Sequence, residues 1–134
     1  MAATCLDANV LLRLILQDVP EQYERAKRLV SSVPNMFFIS HAALSETVFA
    51  LQNHYALDRE QIAAMMKWII ALPTIIGEYE TIVAALDSYV SHPQLSYTDC
   101  YLAEEAAQLA LLPLWTFDKK LARQHSGTQE VPHT

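Results

Sequence analysis

Glycine is nearly absent from this chain, with two residues in 134. A Gly-rich loop that cradles phosphates needs several glycines close together, so nucleoside-triphosphate binding of that kind is unsupported. Six prolines and two glycines also leave little room for linkers or low-complexity segments, and no internal repeat is visible. Cysteine is equally scarce. Cys5 and Cys100 are too few for a disulfide framework, their spacing fits no zinc motif, and a reducing cytoplasm is the simplest expectation. Basic residues are outnumbered, with nine Lys and Arg against fifteen Asp and Glu and a net charge of −6. That balance argues against a broad basic surface that coats nucleic acid, though not against an enzyme that meets nucleic acid at one cation-filled spot. No apolar run reaches the length of a membrane span, because Arg13, Glu46 and Lys67 interrupt the candidates. The N-terminus has no basic region leading into a signal-peptide core.

What is present is the material for a core. Apolar residues make up 52% of the chain and charged residues 18%, which excludes disorder, and 134 residues suffice for one domain. Residues 2–6 read as a buried strand and Val10–Leu16 as a nearly all-apolar helix. Asp18, Pro20 and Glu21 form a capping pattern for a helix running to about Ser31. Met36–Ile39 reads as a second strand, with Ser40 as the cap of a helix over 41–56 in which Leu44, Val48, Leu51 and Tyr55 recur at helical spacing. Asp58 and Gln61 open a helix over 59–71 with Ile62, Met65, Met66, Ile69 and Ile70 as its core stripe and Trp68 at its core or rim. Residues 74–76 form a short third strand and 78–91 a helix. Ser96 or Thr98 caps a helix over 99–111, residues 113–116 form a fourth strand, and a short helix starts near Asp118. The tail around Glu130 adds an edge strand. Strands alternating with helices predict an α/β fold, a three-layer α/β/α domain over residues 1–134 with a central parallel sheet of four or five strands. Ligands in such sheets sit at the carboxyl ends of the strands.

Four acids stand out by their apolar neighbours. Asp7 follows Leu6, Glu46 precedes Val48 and Phe49, Asp99 adjoins Cys100, and Asp118 follows Trp115 and Phe117. Taken singly, Asp7 and Asp118 could be helix caps and Asp99 a favourable charge on a helix dipole. Glu46 is far from any helix end. Burying such carboxylates together is costly unless a cation compensates them, and Arg13 is the only nearby cation in an apolar stretch. A hard divalent ion prefers oxygen ligands, and it suits phosphoryl chemistry by activating water and orienting phosphate.

The segments Leu6-Asp7-Ala8-Asn9, Ser45-Glu46-Thr47, Tyr97-Thr98-Asp99-Cys100-Tyr101 and Thr116-Phe117-Asp118-Lys119-Lys120 resemble, in order and spacing, the four acidic motifs of the PIN-domain family. The resemblance covers essentially the whole chain and looks closest to the VapC-like toxin ribonucleases of prokaryotic toxin–antitoxin pairs. It implies a Mg²⁺- or Mn²⁺-dependent endoribonuclease acting on RNA, with Asp7, Glu46, Asp99 and Asp118 as the catalytic, metal-holding residues. It further implies a homodimer and inhibition by a cognate antitoxin that inserts a segment near the site. Asn9 and Thr116 match the polar positions beside the first and fourth acids and are expected to orient carboxylates or metal-bound waters. Cys100 stands where a small Ala is usual in the family, and a thiol fits there. Lys119, Lys120 and Arg123 follow the fourth acid and are expected either to be solvated or to contact RNA phosphates. Apolar helix surface in residues 10–16 and 62–72 is expected to serve partner contacts. Two alternatives are a non-catalytic PIN-like interaction module and a phosphoryl-transfer enzyme with an Asp7 nucleophile. The second is disfavoured because Asn9 stands where a haloacid-dehalogenase pattern needs an Asp.

Overall fold

Parallel strands cannot be joined by a tight turn, so each needs a crossover, usually a helix. This chain has that form. The computed structural model describes residues 3–134 and divides the chain into two compact units, Met1–Tyr79 and Glu80–Thr134. The first unit contains β1 (Ala3–Cys5), α1 (Ala8–Leu16), α2 (Pro20–Val30), β2 (Met36–Phe38), α3 (His41–Asn53), α4 (Arg59–Ile70) and β3 (Ile75–Ile76). α5 (Tyr79–Ser91) opens at the boundary. The second unit continues with α6 (Tyr97–Gln108), β4 (Leu114–Thr116), α7 (Lys119–Gln124) and β5 (Thr128–Glu130). The fold is mixed α/β with helices beside parallel strands, as expected. Its strands form a three-stranded parallel sheet in the order β1-β2-β3 and a two-stranded parallel pair, β4-β5. Thr4 lies opposite Phe37, Phe37 opposite Ile75, and Trp115 opposite Gln129. Ala2, expected to begin the first strand, lies outside the described residues.

The first unit is held by helix faces repeating at 3.6 residues. α1 buries Leu11, Leu12 and Leu14, α3 buries Leu44, Val48 and Leu51, and α4 buries Ile62, Met66, Ile69 and Ile70. Each such side chain, fully buried, contributes about 1.5–3 kcal/mol. Thr47 also faces the core of this unit, and its hydroxyl donates to the Ala43 carbonyl at 2.7 Å. The Thr74 hydroxyl donates to the Val30 carbonyl and so ties the approach to β3 to the end of α2. Trp68 is 56% exposed and Phe49 is 61% exposed, because both point away from the stripes that their helices bury. Within residues 10–16, Leu11, Leu12 and Leu14 are buried while Val10, Ile15 and Leu16 are half-buried.

The second unit has an aromatic core. Tyr89 and Tyr97 meet edge to face with ring centroids 6.0 Å apart, and Leu86, Leu95, Cys100 and Leu121 of the same unit are buried as well. Its C-terminal part is fastened by His125. The Gly127 N–H donates to His125 Nδ1 at 3.0 Å, which requires the neutral imidazole with its proton on Nε2. That Nε2–H lies 3.1 Å from Glu104 Oε1, so the contact between α6 and the end of α7 is a hydrogen bond in this tautomer.

Helix ends follow capping chemistry. Ser40 accepts from the Ala43 N–H at 3.2 Å and Ser96 from the Asp99 N–H at 3.1 Å. Asp58 and Gln61 form a complete capping box at α4. The expected cap at Asp18 does not form. Val19 takes the N-cap position of α2, with Pro20 at the first turn, because Asp18 is engaged by Arg13 in an ion pair of 3.3 Å. α6 ends in a Schellman turn: Leu111 N–H bonds Ala106 O at 2.8 Å and Ala110 N–H bonds Ala107 O at 3.1 Å. The left-handed position, φ 58°, is filled by Ala110 where glycine is usual. Substituting Ala110→Gly is expected to stabilise the protein by about 0.5–1 kcal/mol, since the left-handed penalty outweighs glycine's added entropy. Asp58→Ala is expected to destabilise it by about 1 kcal/mol through loss of the cap. Urea denaturation with an unchanged slope checks both.

Candidate active site

Asp7 sits where β1 hands the chain to α1. Its backbone has the extended N-cap conformation, φ −81° and ψ 156°, and its carbonyl accepts from the Val10 N–H at 3.0 Å. The carboxylate makes no capping hydrogen bond. A residue type chosen for its capping oxygen thus stands at a cap position with that oxygen unused, and the side chain is exposed. Glu46 projects from the middle of α3 and is exposed. Asp99 lies in the first turn of α6, half-buried, where a negative charge favours the helix dipole.

Asp118 contrasts with Asp7. It caps α7, its Oδ1 accepting from the Lys120 N–H at 2.9 Å and the Leu121 N–H at 3.1 Å. Its own N–H donates to Thr116 Oγ1 at 2.9 Å. Thr116 therefore fixes the turn that presents Asp118 by way of its backbone. Oδ2 takes no part in the cap. Asn9 is exposed near the start of α1 and lines a groove of about 460 Å³ with Arg13, Gln22, Arg25 and Leu29. Arg13 is occupied locally, pairing with Asp18 and donating to the Tyr55 hydroxyl at 3.4 Å. Lys119, Lys120 and Arg123 are all exposed on α7.

Apolar flanks do not bury these acids. Leu6 and Ala8 are each 5% exposed while Asp7 between them faces water, because alternate residues turn to opposite sides at the strand end. Phe117 and Trp115, the flanks of Asp118, are themselves exposed. Two residues before Asp99, burial pushes the Tyr97 phenol far above its ordinary range, with the nearby Tyr101 and Cys100 as lesser causes. Tyr97 consequently stays neutral and serves neither as a base nor as an added charge.

Asp7 and Glu46 lie in the first unit, and Asp99 and Asp118 in the second. Among the described residues, no three His, Cys, Asp or Glu side chains form a group placed to hold a metal ion. By donor chemistry the four acids fit a hard divalent ion, being oxygen ligands throughout. The two thiols are not part of the set, Cys100 being buried in the core of its unit and Cys5 exposed on β1.

A family model described as PIN domain matches residues 4–125. The chain belongs to the PIN domain family. PIN domains are generally metal-dependent nucleases and bind nucleic acid. The match includes all four acids, Asn9, Thr116 and the three cations of α7, and ends before β5. Neither curated proteins nor solved structures give a match.

Two features escape a reading of the PIN motifs alone. His125 gives no sequence signal, since its partners Glu104 and Gly127 lie on either side at unrelated spacings. Phe117 reads as an apolar flank of Asp118, yet it is 79% exposed. The cluster of cations that follows it is the signal that could have marked it. The two junction aspartates should separate in stability. Asp118→Ala is expected to cost about 1 kcal/mol through its lost cap. Asp7→Ala, with no capping bond to lose, should stay within about 0.5 kcal/mol. Denaturation midpoints of the two variants provide the comparison.

Proposed function

We propose that this PIN-domain chain is a metal-dependent endoribonuclease, acting over residues 1–134 as one nuclease domain and serving as the toxin of a type II toxin–antitoxin pair. The observation that carries the reading is the family match across residues 4–125, within which four acids stand in the order and spacing of the PIN motifs. Asp7, Glu46, Asp99 and Asp118 are the catalytic residues and hold Mg²⁺ or Mn²⁺. When bound, such an ion supplies an activated water and neutralises charge on the phosphate. The chain's own residues do the rest. Asp7 brings a carboxylate unspent on capping, which leaves both oxygens for ligation. Asp118 brings Oδ2, with its geometry set by the two N–H bonds to Oδ1 and by the Thr116 hydroxyl. Asn9 and Thr116 orient the carboxylates and ordered water around them. Lys119, Lys120 and Arg123 take RNA phosphates and steepen the salt dependence of binding. Hydrolysis in line with the departing 3′ oxygen leaves a 5′ phosphate and a 3′ hydroxyl.

The reading includes a homodimer, a cognate antitoxin protein and a cytoplasmic location. Exposed Phe49 and Trp68, on α3 and α4, support a protein-contact role for the first unit. No helix among the described residues is long and apolar enough to cross a membrane.

The test compares wild type with Asp7→Asn by mapping cleavage ends in total cellular RNA. The variant is expected to lose Mg²⁺-dependent cleavage while its thermal transition stays in place or rises, because repulsion among the carboxylates is relieved. Full activity in the purified variant overturns the assignment. Failure of the wild type to bind Mn²⁺ favours a non-catalytic interaction module instead.

A further inference from the structure

The cations of the second unit are gathered in one place. Residues 80–134 contain seven Asp and Glu but three Lys and Arg, and all three lie on α7 as Lys119, Lys120 and Arg123. They are exposed, and none takes part in an ion pair among the described residues. α7 seats itself through Leu121, which is 3% exposed. Lys119 and Arg123 are four positions apart and Lys120 and Arg123 three, so Arg123 is a neighbour of both on the helix surface. An acidic unit with such a local basic face selects for a polyanion at that spot.

Phe117 stands at the mouth of this helix. It is 79% exposed, the highest value for a large hydrophobic side chain among the described residues. Its backbone is fixed on both sides, since the Asp118 N–H reaches back over it to Thr116 Oγ1 and Asp118 Oδ1 holds the first turn of α7. A ring is thus exposed to water at the turn that carries an acid of the candidate site and leads into the helix bearing the three cations. An exposed aromatic beside a basic track is the arrangement that receives unpaired bases, because every base offers a π face and the cations take the phosphates.

We propose that Phe117 is a base-stacking residue that seats an unpaired nucleotide of the RNA beside the bond to be cut. The assignment rests on the nuclease reading above and adds to it a substrate-contacting residue, one that engages a base only where that base is unstacked. Duplex RNA keeps its bases stacked on one another and offers Phe117 no free face. Stacking is tolerant of base identity, so Phe117 selects for strandedness more than for sequence.

The experiment uses the full chain carrying Asp7→Asn, so that RNA is bound without being cut. Fluorescence anisotropy measures the affinity for an unpaired oligoribonucleotide and for the same sequence annealed to its complement. Adding Phe117→Ala is expected to weaken binding of the unpaired strand by roughly five- to hundredfold and to leave duplex binding unchanged. Phe117→Trp should retain the affinity and Phe117→Leu should not. Unchanged binding in Phe117→Ala overturns the proposal, and so does an equal loss for duplex. A Leu variant that binds like the parent also overturns it, showing an apolar contact surface instead. If the Asp7→Asn parent binds no RNA, the nuclease reading falls and this proposal with it. If the parent binds and Phe117→Ala binds equally well, only the proposal fails.

Discussion

Parallel strand pairing is the constraint on which the rest of this protein depends. A parallel strand must give way to a helix at its carboxyl end, and the junction is where backbone N–H groups and side chains are free to act. In the first unit β1 and β2 run side by side in the same direction, so Asp7 and Ser40 leave the sheet at the same edge. Glu46 follows within α3, on the helix that Ser40 starts. In the second unit β4 runs parallel to β5 and ends at the turn carrying Thr116, Phe117 and Asp118. Asp99 is the exception, since it lies in the first turn of α6, which follows a loop from α5 and not a strand.

Similar junctions use the same residue types for different ends. At Ser40, Ser96, Asp58 and Asp118 a side-chain oxygen is spent on the backbone of the next helix. At Asp7 it is not. The helix that follows Asp7 compensates by burying Leu11, Leu12 and Leu14, so packing secures α1 where capping does not. The Asp7 carboxylate is thereby left unengaged by the backbone of α1. At Asp118 one oxygen, Oδ1, is spent on the backbone and Oδ2 is not.

Most of the element order was legible because apolar period and capping chemistry agree along the chain. The Asp58–Gln61 box and the Ser40 cap could be read directly, since each rests on residues three apart. Asp18 could not, because its competitor Arg13 sits in the preceding helix and wins by an ion pair that no local pattern encodes. The candidate acids were legible as motif members, while their surroundings were not. Apolar sequence neighbours suggested buried charges, but neighbours in sequence point to different sides of a strand end or helix, and Asp7, Glu46 and Asp118 face water. For the same reason Trp68, Phe49 and Phe117 were indistinguishable from core residues by type alone. The His125 fastening depends on a tautomer chosen by one amide, and no local sequence pattern encodes it.

The Schellman turn at Ala110 bears on the unfolded chain as much as on the native one. Alanine samples fewer backbone states than glycine, so the disordered ensemble loses less entropy when this turn is made. A protein with two glycines in 134 residues stores the cost of its left-handed corners, at Gln17, Ala56 and Ala110, as native-state strain and keeps its denatured ensemble comparatively narrow. Its corners are set by what surrounds them more than by residues that favour the bend. Each left-handed turn is accordingly a report on the integrity of the helix it closes, and it should relax to an ordinary backbone conformation as soon as that helix frays.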